Sequence, residues 1–260
     1  MLTPPEVEES AAALERALRE RRPIRGLGRD KLSMADAYVV QEQWVRICGR
    51  KVAGYKIGAA SKASQKLIGA DEPFLGRLLA DTCLSSAATV SLRDYFAPGV
   101  EAEFAFHMAT GLPARGTPFN MEEVAAAVRS ASPIIEICDN RFVDWRAVSV
   151  EEIVADNAFH GALVVGPEVT AWRAADLAHC EARISIDGSE VGRGISEPVI
   201  GDPLGGLVWV ANKLRQRGQG LQAGDAIAVG TWTGLHFIHQ PSHVVADYGH
   251  LGRVEIHFVP

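Results

Sequence analysis

The stretch from residue 100 to residue 106 reads VEAEFAF, and its alternating pattern predicts a β-strand. Strand side chains alternate between two faces, so Ala102, Phe104 and Phe106 share one face. Glu101 and Glu103 share the other face, where their flexible carboxylates are within reach of one hard cation. The alternative is a half-exposed strand whose acidic face is solvated.

A second apolar stretch, PIIEIC at residues 133–138, carries one carboxylate at its centre. An ionised Glu136 would be costly to bury there without a cation or hydrogen-bond donors. Together, Glu101, Glu103 and Glu136 supply three oxygen ligands, a set that favours Mg²⁺, Mn²⁺ or Ca²⁺ over Zn²⁺ or copper. A purely structural Glu136, paired with an arginine such as Arg141, is the alternative.

A third stretch, GYKIG at residues 54–58, places a lysine on a short apolar strand between glycines. Lysine is seldom buried without a partner, and glycines let a backbone or a ligand approach closely. We expect Lys56 to bind a substrate carboxylate or to take part in proton transfer. A lysine that only extends to solvent from an edge strand is the alternative.

Weaker candidates lie further along the chain. Asp156 and Asn157 belong either to a polar network or to a helix C-terminal turn. Thr231 and Thr233 could offer hydroxyls to an anion, although turn formation explains them equally well. We therefore expect Asp156 and Thr231 to contribute, with Lys56, to substrate binding.

Several common functional sites lack support in the sequence. His236 and His239 would point to opposite faces of a strand, and with His243 they do not predict a zinc site. The chain contains no GxGxxG after a strand, no Walker loop and no GxSxG. Dinucleotide, nucleotide and serine-hydrolase functions therefore lack support.

The composition is typical of a globular protein. The 260 residues suffice for one large domain, or for one domain with a helical extension. Apolar residues make up 47% and charged residues 22%, which excludes a disordered or fibrous protein. With 26 basic and 32 acidic side chains the formal charge is -6, which argues against a nucleic-acid partner.

The N-terminus has no apolar signal segment, and no apolar run of about 18 residues occurs. We therefore expect a cytoplasmic protein. The four cysteines lie far apart without a CxxC pair, so we expect free thiols that pack as small apolar residues.

The first fifty residues predict helices, and the remainder predicts mostly short strands. Thr3 precedes a helical segment that Pro23 ends, and Ser33 with Asp36 forms the capping box of a second helix ending at Gly49. Strands are predicted at 52–57, 88–92, 100–108, 133–138, 161–166, 182–186, 189–192, 225–230 and 252–259. Further helices are predicted at 121–131, after Ser149 and from Asp202 to Gly218. Because strands and helices do not alternate regularly, we expect an α+β fold rather than a doubly wound sheet.

A set of motifs in a specific order connects the chain to a known family. They are GYKIG, DEP at 71–73, VEAEFAF, PIIEICDNRFVDW, VADNAFHG, GDPLGGLVWVANKL and the closing ADYGHLGRVEIHF. From about residue 30 to the end, the chain resembles the 2-keto-4-pentenoate hydratase and 2-oxohept-4-ene-1,7-dioate hydratase family. That family also includes 4-oxalocrotonate decarboxylases and belongs to the fumarylacetoacetase-like superfamily.

The resemblance implies a fold and a site. It implies a mixed β-roll core of the fumarylacetoacetase C-terminal type at 51–260, after an N-terminal helical region at 1–50. Glu101, Glu103 and Glu136 match the family's ligands for Mg²⁺ or Mn²⁺, and Lys56 matches its active-site lysine. A homo-oligomer, in some cases associated with a related decarboxylase, is also implied.

The resemblance further implies addition of water to a 2-hydroxy-2,4-dienoate in the catabolism of aromatic compounds. The alternatives are a 4-oxalocrotonate-type decarboxylase, an acylpyruvate-type C–C hydrolase and a non-catalytic partner subunit. One departure affects the assignment of a base, because Phe74 stands where many family hydratases have an aspartate. Asp71, Glu72 or Asp81 could take over its role.

Overall fold

The computed structural model describes residues 1–28, 32–195 and 203–260. The α-helices of these ranges are α1 (Pro4–Glu20), α2 (Met34–Cys48), α3 (Lys62–Ile68), α4 (Met121–Ala127), α5 (Val150–Ala155) and α6 (Pro203–Gln216). The strands are β1 (Val52–Gly58), β2 (Phe74–Leu79), β3 (Cys83–Ser85), β4 (Ala88–Ser91), β5 (Gly99–Met108), β6 (Val128–Cys138), β7 (His160–Val165), β8 (Glu181–Ile186), β9 (Ser189–Ile195), β10 (Ala226–Ala228), β11 (His236–Phe237), β12 (Ser242–Asp247) and β13 (Arg253–Val259). No helix in these ranges is both long and apolar enough to cross a bilayer.

Both N-terminal helices begin at the capping residues that the sequence predicts, and α2 also ends at the predicted Gly49, whereas α1 ends at Glu20, before the predicted Pro23. The backbone N–H of Thr3 donates to Glu6 at the start of α1, and Ser33 Oγ accepts the N–H of Asp36 at the start of α2. Gly49 ends α2 in the left-handed conformation with φ 65°. Helix α1 packs on α2, and α2 packs on α5, so this helical layer covers one side of the β core.

The larger sheet has the strand order β2-β1-β10-β5-β6-β7-β3, with β11 added beside β5. The pairs β1–β10 and β3–β7 are parallel, and the other pairs are antiparallel. Strand β2 also contacts β7 near the opposite edge, so the sheet curls into a roll. The smaller sheet has the order β4-β13-β12-β8-β9.

A compact aliphatic cluster fills part of the roll, apart from the main core. Its buried members, one from each of five strands, are Leu78, Ala105, Ile134, Leu163 and Ala228. Ala105 follows Glu103 by two residues on β5, so the cluster continues the face on which the glutamates lie. The inside of the roll therefore has an apolar section next to a charged one.

Tyr248, directly after β12, connects the smaller sheet to the larger one. Its buried hydroxyl lies 2.6 Å from the Glu103 carbonyl oxygen on β5 and 2.7 Å from the Ile134 carbonyl oxygen on β6. Behind β5 its ring packs against Phe104 and Trp232. The backbone of the glutamate-bearing strands is thus fixed from the side opposite to their carboxylates.

The structure confirms the α+β class and corrects parts of the element prediction. The helix predicted at 121–131 ends at Ala127, because Val128 already pairs with Met108 of β5 and begins β6. Strands β2, β3, β11 and β12 and helix α3 were not predicted from the sequence. The predicted helix start at Asp202 lies outside the described residues. All four cysteines are free.

Replacement of Tyr248 by phenylalanine should lower the free energy of unfolding by about 1–3 kcal/mol, because buried carbonyl oxygens lose a hydroxyl donor. Urea denaturation followed by circular dichroism measures the difference. Tyr95→Phe is the matched control, because no hydrogen bond of its hydroxyl occurs in the described part of the chain. An equal loss in both variants would contradict the proposed connection between the sheets.

Candidate metal and active site

The three predicted glutamates and the predicted lysine lie on the inner face of the roll. Glu101 of β5 is directly opposite Glu136 of β6, and Glu103 is two residues further along the same face of β5. Lys56 is in register with Ala228 of β10, and Ala228 is in register with Ala105 of β5. The sheet register thus brings together four charged residues from three separate parts of the sequence.

Lys56 is buried and contacts Glu136. Its Nζ lies 2.9 Å from Glu136 Oε1 and donates a hydrogen bond to the Ala158 carbonyl oxygen at 2.8 Å. Gly76 leaves room for the chain of the lysine, because a Cβ at this position would lie 2.8 Å from Lys56 Cδ. Burial lowers the pKa of Lys56, but the nearby anions, Glu136 above all, raise it by more. The ammonium therefore stays protonated.

The loop after α5 holds the Ala158 carbonyl in place. Asn157 Oδ1 accepts the N–H of Arg77 at 2.8 Å, and its Nδ2 donates to the Arg77 carbonyl oxygen at 2.9 Å. Asn157, Ala158 and Phe159 all have φ between 53° and 58°, which is unfavourable for residues other than glycine. Such strain persists where surrounding contacts enforce it, frequently at functional sites.

Asp156 lies away from the substrate cavity, in contrast to the expectation from the sequence. It is fully buried and forms an ion pair with Arg141, whose backbone N–H also donates to Asp156 Oδ2 at 2.9 Å. The polar-network alternative is thus the one that the structure contains. Arg141 does not pair with Glu136, because Asp156 already occupies its guanidinium.

The carboxylates of the site strongly affect one another. Burial and the neighbouring Glu136 raise the pKa of Glu101 to about 7. Burial, Glu136 and Glu101 raise the pKa of Glu103 well above its usual value. Burial raises the pKa of Glu136, but the nearby Lys56 and His160 lower it by more, so this pKa is below its usual value. Without a further cation the fold thus favours protons on Glu101 and Glu103.

These residues fit a divalent cation. Neither carboxylate oxygen of Glu136 accepts a hydrogen bond of normal geometry from the described residues, although both oxygens are buried. One ligand atom each from Glu101, Glu136 and Cys138 lie within 4.8 Å of one another. Glu103 is not in this group, since its Oε2 accepts the N–H of Gly230 at 3.2 Å. When all three carboxylates are ionised, Lys56 leaves two negative charges that one divalent ion would balance.

A cavity of about 110 Å³ opens beside the site and is lined by both polar and apolar residues. Its polar lining residues are Lys56, Ser64, Glu101, Glu103, Cys138, Asp139, Asn140 and Thr231. Its large apolar lining residues are Leu67, Ile68, Phe74, Trp145, Ile153, Phe159, Leu235 and Phe237. Of the lysines and arginines that the structure describes, Lys56 alone lines this cavity.

Thr231 lines the cavity. Asp71, Glu72 and Asp81, which could take over the role of the missing aspartate, do not. Thr231 Oγ1 accepts the N–H of Gly234 at 3.0 Å, so the threonine also shapes a turn. Glu72 and Asp81 are exposed and form ion pairs with Lys213 and Arg50, and Asp71 is exposed. These three acidic residues are absent from the cavity lining.

Two candidate functional residues, Asp139 and His160, are not predicted from the sequence. Asp139 lines the cavity, is 4% exposed, and accepts the backbone N–H groups of Phe96 and Ala97. His160 is buried with Nδ1 3.7 Å from Glu136 Oε1, and its Nε2 lies 2.9 Å from Thr82 Oγ1. Asp139 directly follows the Glu136 strand, a position that could have indicated it. Nothing in the local sequence indicates His160.

The chain is similar to known proteins over most of its length. The family described as fumarylacetoacetate (FAA) hydrolase C-terminal matches residues 56–259. The chain is 34% identical over 235 residues to a 2-keto-4-pentenoate hydratase of Paraburkholderia xenovorans (strain LB400). The aligned region covers 88% of this chain and 86% of that protein. It is 30% identical over 259 residues to a 2-oxo-hept-4-ene-1,7-dioate hydratase of Escherichia coli, with 96% of each chain covered.

A solved structure has the same fold over the whole chain. It is a 4-oxalocrotonate decarboxylase from Pseudomonas putida G7, complexed with magnesium and adipate. The two chains superpose with a TM-score of 0.91 at 26% identity, covering 100% of this chain and 99% of the other.

The metal-free protein should lose stability as the pH rises from about 4.5 to about 7. The folded state keeps a proton on Glu101 up to about pH 7, whereas the unfolded chain releases it near 4.5, so the folded state binds more protons in this range. In Glu101→Gln, urea denaturation at pH 5, 6, 7 and 8 should show a smaller decline. Mg²⁺ should stabilise the parent protein more at pH 8 than at pH 5.

Glu8→Gln is the matched control, because Glu8 is an exposed glutamate on α1. Its stability should follow the parent protein at each pH. Identical pH dependence in the Glu101→Gln and Glu8→Gln variants would contradict the electrostatic account of the site.

Proposed function

The chain belongs to the fumarylacetoacetate hydrolase C-terminal family, and on this basis we propose that it is a metal-dependent hydro-lyase. The proposed reaction adds water to a small 2-hydroxy-2,4-dienoate and gives a 4-hydroxy-2-oxo acid, as a step in the catabolism of aromatic compounds. The hydratase names of its relatives support the reaction class. The observation that carries the proposal is the group of three carboxylates beside a single ammonium at a small cavity.

Glu101, Glu103 and Glu136 are the proposed ligands of Mg²⁺ or Mn²⁺. Carboxylate oxygens suit these hard ions, and the buried oxygens of Glu136, which accept no hydrogen bond of normal geometry from the described residues, support the assignment. A bound ion would act as a Lewis acid that withdraws electrons through the 2-oxo group of the substrate and makes C4 electrophilic towards water. Glu103 would have to leave the Gly230 N–H, or share it, to join the other two ligands.

Lys56 is the proposed group for holding the substrate carboxylate. Its ammonium has three protons, of which one is donated to Ala158 and another faces Glu136. The third can point into the cavity that Lys56 lines. Because its pKa is raised, Lys56 acts as a fixed positive charge and a hydrogen-bond donor, and not as the base that activates water.

Asp139 is the proposed proton-transfer carboxyl in place of the aspartate that Phe74 replaces. Asp139 lines the cavity, and burial raises the pKa of its carboxyl group. A raised carboxyl pKa is closer to neutrality, where acid–base catalysis is more efficient. Thr231 also lines the cavity and offers a hydroxyl to the substrate oxygens. Asp156 supports the loop behind Lys56.

The cavity lining favours a substrate with one carboxylate and an uncharged distal end. A dicarboxylic dienoate would bring a second carboxylate into a cavity that no described lysine or arginine except Lys56 lines. Burying an unpaired carboxylate is strongly unfavourable. The pocket therefore fits the 2-keto-4-pentenoate type better than the 2-oxohept-4-ene-1,7-dioate type.

Decarboxylation is the second candidate, because the full-length structural match is to a 4-oxalocrotonate decarboxylase. The same site would stabilise the enolate that forms when carbon dioxide leaves. Product analysis separates the reactions: a 4-hydroxy-2-oxo acid means hydration, carbon dioxide means decarboxylation, and two smaller acids mean hydrolytic cleavage. The lack of a second lysine or arginine among the described lining residues argues against oxalocrotonate, which carries a second carboxylate.

The proposal also includes the cellular setting. We expect a cytoplasmic homo-oligomer that can associate with a related decarboxylase, as the resemblance of the sequence implies. Size-exclusion chromatography with light scattering measures the oligomer directly.

Glu103→Gln should abolish Mg²⁺ binding and turnover together while leaving the fold intact. We expect kcat to fall at least about 100-fold, since even outer partners of a bound metal commonly contribute 10–100-fold. The ultraviolet absorbance of a five-carbon dienoate follows turnover, and circular dichroism follows the fold. Glu8→Gln is the control for an exposed glutamate. Full activity of Glu103→Gln, or of metal-free protein, would refute the proposed function.

The parent protein should prefer a five-carbon monocarboxylic dienoate over a seven-carbon dicarboxylic one by at least about tenfold in kcat/KM, because the second carboxylate has no partner. Leu67, which lines the cavity mouth and is 62% exposed, is the position for a designed change. Leu67→Lys should narrow the preference, and the neutral Leu67→Gln should not. Equal kcat/KM values for both substrates in the parent protein would contradict the proposed preference for a substrate with an uncharged distal end.

A further inference from the structure

The solvent-facing side of the smaller sheet carries a second group of metal-ligating side chains. His243 of β12 lies directly opposite His257 of β13 in the antiparallel register. Glu255 precedes His257 by two residues, so its side chain is on the same face. The alternate residues Val244, Val254, Ile256 and Phe258 are buried beneath them. The backbone that presents the three side chains is therefore firmly packed.

The three side chains already lie close to one another. The imidazole rings of His243 and His257 stack with their centroids 4.2 Å apart and their planes 6° from parallel. His243 Nε2 lies 3.1 Å from Glu255 Oε2. One ligand atom from each residue falls within 4.8 Å of the other two.

We propose that His243, Glu255 and His257 form a second metal site, which binds Zn²⁺ or a similar transition-metal ion. Two imidazoles and one carboxylate are a common set of protein ligands for zinc. Bond lengths of 2.0–2.1 Å place tetrahedral ligand atoms about 3.3 Å apart, so the side chains have to rotate, and the two nearly parallel rings have to tilt, before all three direct a ligand atom at one ion. Water would complete the coordination, because all three side chains are solvent-accessible.

The chemistry of this site differs from that of the site inside the roll. The interior group offers carboxylates for a hard ion such as Mg²⁺, together with the Cys138 thiol, whereas the outer group offers two imidazole nitrogens and one carboxylate. Among divalent first-row ions, Cu²⁺ and Zn²⁺ bind such nitrogen ligands more tightly than Mn²⁺ does. The two sites should therefore select different ions from the same solution.

The residues next to the outer group are compatible with a bound cation. Asp187 Oδ1 accepts the backbone N–H of His243, so another carboxylate is adjacent. Thr89 of β4 is the parallel neighbour of His257 and adds no positive charge. A bound ion would cross-link β12 and β13, and a ligand that binds only the folded state raises stability.

The test is a calorimetric titration of the full chain with Zn²⁺ at pH 7.5 in the presence of saturating Mg²⁺, which occupies the interior site. We expect one equivalent of Zn²⁺ to bind, with affinity at least tenfold lower in His257→Ala and in His243→Ala. Glu255→Gln should weaken binding as well. His250→Ala is the control, because His250 is an exposed histidine outside the group.

Cobalt provides an independent spectroscopic readout. Co²⁺ added to the Mg²⁺-loaded protein should give visible d–d bands that Zn²⁺ displaces and that His257→Ala removes. The same bands and the same Zn²⁺ affinity in Glu101→Gln would exclude binding at the interior site. No Zn²⁺ binding, or binding that His243→Ala, His257→Ala and His250→Ala leave equally strong, would overturn the proposal, whatever the catalytic activity of the protein.

Discussion

The ion pair between Lys56 and Glu136 inside the roll is the interaction on which the rest of the site depends. One ammonium faces three buried or partly buried carboxylates, and water is largely excluded. In such surroundings charges interact more strongly than in solvent, so an uncompensated carboxylate is costly. The pKa of Glu101 and of Glu103 rises for this reason, and both residues are prepared for a cation that replaces their protons.

The fold accommodates this charge by dividing the inside of the roll into two sections. Leu78, Ile134 and Leu163 close one section with aliphatic side chains, and the charged residues occupy the other. The lysine enters through the space that Gly76 leaves free, and the strained loop around Ala158 supplies an acceptor for it. A small cavity results, and Lys56 is the one lysine or arginine of the described residues that lines it.

The sequence alone predicts the charged residues of the site better than the strands around them. Glu136 and Lys56 were identifiable because a charge within an apolar strand requires a partner, whatever the tertiary structure. Strand β2 was missed because its pattern, FLGRLL, is short and includes a glycine and an arginine, and only pairing with β1 makes it a strand. The predicted helix after Asn120 was too long, since pairing of Val128 with β5 overrides the local helical preference.

The partners of the site residues depend on register, which local sequence does not contain. Asp156 looked like a ligand-binding residue, but the fold places Arg141 beside it, and Asp139 lines the cavity instead. The histidines show the same limit, because His243 finds its neighbour fourteen residues away on β13 rather than at His239. A single charged residue can be interpreted from its neighbours in sequence, whereas a constellation needs the pairing of strands.

The smaller sheet contributes to the site through the backbone. Tyr248 holds the carbonyl groups of Glu103 and Ile134, and Phe104 stacks on Trp232 behind the same strand with centroids 5.6 Å apart. The main chain of the two glutamate-bearing strands is thus fixed on the side away from the carboxylates. Ligands on rigid strands are held more precisely than ligands on loops. Ion binding by Glu103 would therefore be a movement of its side chain relative to the Gly230 N–H, while Tyr248 holds the carbonyl group of the same residue.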